Sequence, residues 1–306
     1  MLHPPFPSVL DNTILNAYRS CGRQAQLAYI EHWKPQGVSV HLHAGAAFAR
    51  GLEVARKAFF DHAQDAETAM ALGLRALVDA YGDFECPPDS AKSLERMCGA
   101  FEYYLGEAFP IAADSAVPKV MPSGQRAIEF SFCEPLPVDH PETGDPILYS
   151  GRADAVVEME NGIFVMDDKT TSSLGRSWAD QWELRSQFTG YSWAARQAGF
   201  PADGVLVRGI SILKTRYDHA QHITYRPQWE IDRWLKQTVR DVKRMIEDWA
   251  IGDFAYNLGE ACNHYGGCSF AAICKKQHPE EWLPVYFEQR RWDPLTRTEE
   301  RLNANT

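Results

Sequence analysis

Tyr149-Ser-Gly-Arg-Ala-Asp-Ala-Val-Val-Glu-Met159, the link Glu160-Asn161, and Gly162-Ile-Phe-Val-Met-Asp-Asp-Lys-Thr170 decide how this chain folds. Two β-rich runs flank Glu160-Asn161-Gly162, a strong hairpin signal. With Asn161-Gly162 as the two-residue turn, Glu160 pairs with Ile163 and Asp154 lies opposite Lys169. Asp167 is then the diagonal neighbour of Asp154 on the same face, within about 7–8 Å. Side chains alternate across a strand, so Asp167 and Lys169 share a face while Asp168 points to the other. The apolar run Ile163-Phe-Val-Met166 sets Asp167 at the end of a buried strand.

Two facing carboxylates repel, by about 4 kcal/mol at 4 Å in an effective dielectric near 20. A shared proton, a nearby cation or a metal must offset that. Oxygen-rich sites suit Mg²⁺ or Mn²⁺, which also take phosphate oxygens as ligands. Such an ion lowers the pKa of a coordinated water and stabilises charge on a scissile phosphate. Lys169 beside it would orient the attacking water or neutralise the developing charge. Downstream, Trp178 to Gln197 reads as a helix with apolar positions at Trp182, Leu184, Phe188, Tyr191, Trp193 and Ala194. Gln187 and Tyr191, four apart, are neighbours on one helix face. Alone, such a pair is more often packing than function; its place just after the Asp-x-Lys strand gives it weight.

These segments resemble the PD-(D/E)XK nuclease superfamily, specifically its RecB-like branch. Gly151-Arg-Ala-Asp154 matches the family's Gly-x-x-Asp, Asp167-Asp-Lys-Thr170 its Asp-x-Lys-Thr, and Gln187 to Tyr191 the branch's Gln-x-x-x-Tyr. The resemblance implies an α/β, restriction-endonuclease-like core, a central mixed β-sheet flanked by helices. It makes Asp154 and Asp167 metal ligands, adds the backbone carbonyl of Asp168, makes Lys169 catalytic and lets Gln187 and Tyr191 hold the DNA strand. One departure stands out. Relatives often carry a His in an upstream Gly-x-x-Phe-His helix, whereas Gly45-Ala-Ala-Phe-Ala49 has Ala49 there. Glu53, one turn further on, is a substitute metal ligand; a solvated helix glutamate is the equal alternative.

The chain has seven Cys. Its start, Met-Leu-His-Pro-Pro-Phe-Pro, lacks a basic region followed by an apolar stretch, and no run approaches 18 apolar residues. A soluble protein of the cytoplasm, bacterial or in a phage-infected cell, is therefore expected, where grouped thiols suggest metal rather than disulfides. Cys262, Cys268 and Cys274 form such a group, and Cys21 is the best fourth ligand. This split resembles the iron–sulfur subgroup of RecB-like nucleases, which implies a structural 4Fe–4S cluster. Zinc on Cys262, His264, Cys268 and Cys274 is the alternative. Cys86, Cys98 and Cys133 have no partner spacing and read as core or incidental thiols.

The first third reads as helices near 12–32, 42–63, 66–82 and 91–109, and strands follow near 126–133, 147–159 and 162–168. A strand at 204–214, paired with 221–226, then precedes a helix at 228–250. That order gives one domain over 1–292, with a helical elaboration at about 42–112, a cysteine segment at 262–274 closing on Cys21, and a tail at 293–306. Net charge is −10, unhelpful for binding phosphates, but it falls as −8 in 1–150 and −2 in 151–306. Arg233, Lys236, Arg240 and Lys243 or Arg244 fall on one helical stripe, either a phosphate track or a solvated face.

The leading expectation is a Mg²⁺- or Mn²⁺-dependent DNA exonuclease of phage or bacterial recombination or repair. Its partners would be DNA, single-stranded or with free ends, and a recombination protein, with no membrane. A nuclease-fold subunit that binds DNA or assembles a complex with weak or no chemistry is the second. A zinc-stapled hydrolase of another phosphoester is the third.

Overall fold

The structure, a computed structural model, describes residues 4–37, 39–263 and 267–295. In chain order it runs β1 (Val9–Asp11), α1 (Asn12–Ser20), α2 (Gly22–Ala25), a π-helical turn (Gln26–Ile30), β2 (Trp33–Pro35), α3 (Val40–Phe60), α4 (Ala66–Tyr81) and α5 (Leu94–Tyr103). A second π-helical turn (Tyr104–Ala108) leads to β3 (Val117–Pro118), β4 (Ile128–Asp139), β5 (Pro146–Met159) and β6 (Gly162–Thr171). Then come α6 (Arg176–Asp180), α7 (Ser186–Gln197), β7 (Gly204–Ile212), β8 (Tyr217–Tyr225) and α8 (Gln228–Ile251). Short pieces finish the chain: α9 (Glu260–Asn263), α10 (Ala271–Cys274), α11 (Leu283–Tyr286) and β9 (Phe287–Gln289).

The sheet is mixed, as the α/β reading requires. Its order is β1-β5-β6-β7-β8, with β3 and β4 also on β5. β5–β6 and β7–β8 are antiparallel, whereas β6–β7 is parallel. That parallel step needs a crossover, which α6 and α7 supply. By their contacts the residues divide into two compact units, 1–37 with 131–151 and 232–306, and 38–130 with 152–231.

The second unit carries the hairpin. β7 is buried along its whole length, which is why Val205-Leu-Val207 and Ile210 read as a continuous apolar strand and not an alternating one. Arg208 interrupts that run and is satisfied in place by Asp114, which accepts two hydrogen bonds from its guanidinium at 2.5 and 2.6 Å. The Phe109 ring lies 4.2 Å from the same guanidinium. On one side of the unit α3, α4 and α5 share an apolar core of Phe48, Leu52, Leu77, Phe101 and Tyr104 that reaches Ile210 and Ile212. Gly51 and Gly73 let α3 and α4 approach closely: a side chain at Gly51 would start 3.0 Å from the Gly73 carbonyl.

The helix expected over Trp178 to Gln197 is broken between α6 and α7. The reason is polar. Buried Arg226 donates to the Trp182 carbonyl at 2.8 Å, taking an acceptor that a continuous helix would have used. The helix expected over 12–32 also breaks, at Cys21, whose backbone is extended. In the first unit α1 is capped by the Asp11 carboxylate, and an apolar cluster of Leu27, Phe270, Ile273, Leu283 and Phe287 packs the C-terminal pieces against the N-terminal ones. Among the described residues no helix is long and apolar enough to cross a membrane.

Candidate active site

The hairpin turns one residue earlier than its sequence suggests, which slips the cross-strand register by two. Met159 pairs with Gly162 and Ala155 with Met166, so Glu160-Asn161 is the turn. The cause is Gly162, whose φ of +139° no ordinary side chain adopts readily. The Asp203 carboxylate sits where its side chain would be and accepts the Ile163 N–H at 3.0 Å. A slip of two residues keeps every side chain on its face. It also brings Asp167, rather than Lys169, across from Asp154.

Pairing of β5 with β6 stops at Ala155–Met166, and Asp154 fills the gap that opens. Its Oδ2 accepts the Asp168 N–H at 2.6 Å. Within a strand the N–H and C=O of one residue leave on the same edge, so the Asp168 carbonyl borders this gap too. Asp167 is buried and ion-paired with Lys169; apart from that contact its Oδ1 has no donor among the described residues. Burial, then Asp167, then Glu129 hold the Asp154 carboxyl well above the usual range. Burial also raises Asp167, against the pull of Lys169. Lys169 is driven the other way: burial disfavours its charge, but Asp167 and Asp154 more than restore it, so it stays an ammonium.

The Asp168 side chain points to the opposite face, as alternation demands. There Arg56 of α3 and the Tyr104 hydroxyl both donate to it. Burial alone would raise its pKa; Arg56 and Tyr104 outweigh that and hold it below the usual range. Tyr104 opens the second π-helical turn, a distortion that recurs at functional sites. The Arg56–Asp168–Tyr104 group therefore pins the backbone whose amide holds Asp154.

Gln187 and Tyr191 meet as their spacing predicts, the Gln187 amide donating to the Tyr191 hydroxyl at 2.9 Å. The Tyr191 phenol is pushed up to about 12 by burial and then by Asp167, so it belongs to the same electrostatic group. Glu53 is engaged differently. Its carboxylate accepts from Arg50 at 2.9 Å and Lys57 at 3.1 Å on its own helix. The sequence reading missed Glu129. Its φ of +57° is strained for a glutamate, it pairs with Arg152 at 2.9 Å, and its charge is felt at Asp154. Ile128-Glu-Phe130 reads as ordinary strand, so no sequence signal marked it. Arg185, at the start of α7, was missed as well; its charge favours ionised Asp167.

The donors suit a hard divalent cation: two carboxylates raised by burial and by like charge, a carbonyl on the same edge and an ammonium beside them. Among the described residues no three His, Cys, Asp or Glu side chains are gathered closely enough to hold an ion. A carbonyl and waters would have to complete this one.

A profile of the PD-(D/E)XK nuclease superfamily matches residues 12–275. The chain belongs to the PD-(D/E)XK nuclease superfamily. A candidate exonuclease from Eubacterium rectale, solved by crystallography, shares the fold with a TM-score of 0.50 at 14% identity, over 84% of this chain and 88% of that one. The protein SSO0001 aligns over 86% of this chain and 95% of its own at 15% identity, but its TM-score of 0.31 is too low to carry the fold. No curated protein matches.

The other unit of this PD-(D/E)XK chain holds the four grouped cysteines. Cys21, Cys262, Cys268 and Cys274 line one cavity, together with Leu258, Phe270 and Ala271. The break between α1 and α2 presents Cys21, whose sulfur accepts the Asn257 N–H at 3.4 Å; the Asn257 side chain in turn donates to the Ser20 carbonyl at 2.7 Å. Burial and the neighbouring thiols raise Cys268 and Cys274. Four free cysteines line this apolar cavity, the donor type and number of a thiolate-ligated group, but among the described residues no three of them are gathered closely enough to hold an ion, so the structure does not itself show the expected cluster. His264, the extra ligand of the zinc alternative, lies outside the described residues. On α8 the side chains of Arg233, Lys236, Arg240, Lys243 and Arg244 are all exposed, while Asp241 is buried and bound to Arg19 at 2.7 Å.

Proposed function

We propose that the chain is a Mg²⁺- or Mn²⁺-dependent deoxyribonuclease of the RecB-like type, working as an exonuclease on DNA that is single-stranded or has free ends. The observation that carries this reading is Asp154 facing Asp167 where β5 and β6 part, with Lys169 ion-paired beside them. Asp154, Asp167 and the Asp168 carbonyl would hold the ion, which supplies water activation and charge stabilisation when bound. Glu53 would join only by releasing Arg50 and Lys57. Lys169 keeps its proton and so neutralises charge developing on the phosphate instead of acting as a base. Tyr191, oriented by Gln187, is a neutral donor for a phosphate oxygen.

In the same reading Cys21, Cys262, Cys268 and Cys274 hold a structural 4Fe–4S cluster that ties the two ends of a single nuclease domain over 1–292. The exposed basic residues of α8 support contact with DNA phosphates. Recombination or repair in a bacterial or phage-infected cytoplasm, with a recombination partner, is the setting this chemistry suits. Degradation of linear DNA that needs Mg²⁺ or Mn²⁺ and vanishes in Asp167→Ala tests the enzyme; persistence in that variant rejects the assignment. Iron and zinc analysis of the purified chain tests the cluster. Ala49 and the engaged Glu53 favour one second reading, a DNA-binding subunit of this fold without chemistry. Binding without cleavage across divalent ions would select it.

A further inference from the structure

Lys92 is a cation that the chemistry above leaves unused. It lies in the stretch between α4 and α5 and is 7% exposed. Its ammonium donates to Thr170 Oγ1 at 2.8 Å, and among the described residues it makes no ion pair. Among the described residues every other lysine or arginine buried to this degree has a carboxylate: Arg56 has Asp168, Arg208 has Asp114 and Arg226 has Glu230. Lys92 has one hydroxyl for three protons. Burial accordingly weakens its hold on the charge, with nothing opposing.

The backbone at Lys92 is held from behind. The Tyr81 hydroxyl donates to the Lys92 carbonyl at 2.7 Å, and His43, stacked on Phe84, closes on the Tyr81 carbonyl at 2.7 Å. Thr170 follows Lys169 directly and is half-buried. Facing it on α3 is Gly45; a side chain begun there would meet nothing within 4 Å except Thr170 Oγ1, at 3.9 Å. Room therefore remains beside the hydroxyl on its α3 side. A buried ammonium with spare donors, a hydroxyl and open space is what an anionic oxygen needs.

We propose that Lys92 and Thr170, at the C-terminal end of β6 and on the face that Asp168 shares, form an anion subsite that takes a backbone phosphate of the nucleic acid outside the bond that is cut. The missing counter-charge is the substrate's. This rests on the nuclease reading, because it gives the phosphate its source. It also explains why a lone cation is fixed one residue from the Asp-x-Lys segment rather than left at the surface, where it would cost less.

The test uses the full, metal-replete chain carrying Asp167→Asn, so that a labelled single-stranded oligonucleotide is bound and not cut. Adding Lys92→Met, close in volume, should weaken binding by about fivefold to tenfold and flatten the log–log salt dependence by about 0.7, one phosphate's share for a single strand. Its melting temperature without DNA should hold or rise, since an uncompensated charge is removed. Thr170→Val should weaken binding in the same direction by less. A lower melting temperature or failure to fold for Lys92→Met makes the lysine a structural group and overturns the subsite. Unchanged affinity and salt slope overturn it too. If the otherwise unaltered chain neither cuts nor binds DNA, the nuclease reading itself has failed, and the subsite falls with it.

Discussion

The acidic edge at Asp154, Asp167 and Lys169 and the cysteine cavity at Cys21, Cys262, Cys268 and Cys274 follow opposite plans. At the acidic edge the charges stand on two long strands and are braced by ion pairs and hydrogen bonds already in place. At the cavity the candidate ligands are cysteine sulfurs on short helices and connecting segments, against apolar walls, with few hydrogen bonds among them. On the proposed reading, one is organised before its ion arrives, and the other takes much of its order from what fills it. Preorganised charge is a device for reaction rates. A site completed by its metal is a device for folding, because its binding energy becomes folding energy. Each region should therefore fail in its own way.

The largest effect belongs to Asp167→Asn. Cleavage of linear DNA should fall about a thousandfold, the scale of losing a preorganised charge. The melting temperature should stay level or rise, because one of two mutually repelling carboxylates is gone. Calorimetry beside a cleavage assay checks both. A sharp loss of stability would make the acidic edge a structural salt-bridge cluster and erase the contrast.

Next comes Arg56→Ala, which leaves the buried Asp168 carboxylate with the Tyr104 hydroxyl as its side-chain donor and the charge of Arg208 further off. Breaking a buried pair from one side costs about 3–5 kcal/mol. Denaturant unfolding should show that loss, and Asp168→Asn in the Arg56→Ala chain should recover part of it, since the unpaired charge has gone. Absence of recovery would mean that Arg56 contributes through packing alone.

The two regions also differed in what their sequences disclosed. Asp154, Asp167 and Lys169 were legible because strand alternation fixes faces, and a register error of two residues leaves faces intact. The register itself was not, because a glycine beside Asn161 suits a turn, while only the fold reveals that Asp203 occupies the space beside Gly162. Glu129 was invisible: nothing local announces that a strand residue will take a left-handed backbone. The cysteine grouping was legible by chemistry and resemblance, never by geometry, since no local periodicity connects residue 21 with 262–274. The break at Trp182 escaped notice because it depends on buried Arg226, far along the chain.

On the cavity side, the proposed cluster predicts that Cys262→Ser releases bound iron and lowers stability by about 3 kcal/mol, near 5 °C for a chain of this size. Cleavage per folded molecule should change far less. Elemental analysis, melting and an activity assay below the lowered transition separate these. Equal losses of rate in Cys262→Ser and Asp167→Asn would show that the cavity serves the reaction and not only the fold.

The smallest effect is expected from Gln187→Ala. The variant loses one hydrogen bond to Tyr191, worth about 1 kcal/mol, and leaves every charge at the acidic edge in place. If Gln187 only orients the phenol toward a phosphate oxygen, KM should rise about fivefold while kcat changes little, because ground state and transition state lose the same contact. If Tyr191 instead serves the charge that develops at phosphorus, kcat should fall and KM stay constant. Tyr191→Phe separates the two further: it removes the hydroxyl but keeps the buried ring, so a shift in KM matching that of Gln187→Ala assigns both residues to holding the strand. An unchanged KM and kcat in both variants would return the pair to packing, and would confine the preorganised region to the strands alone.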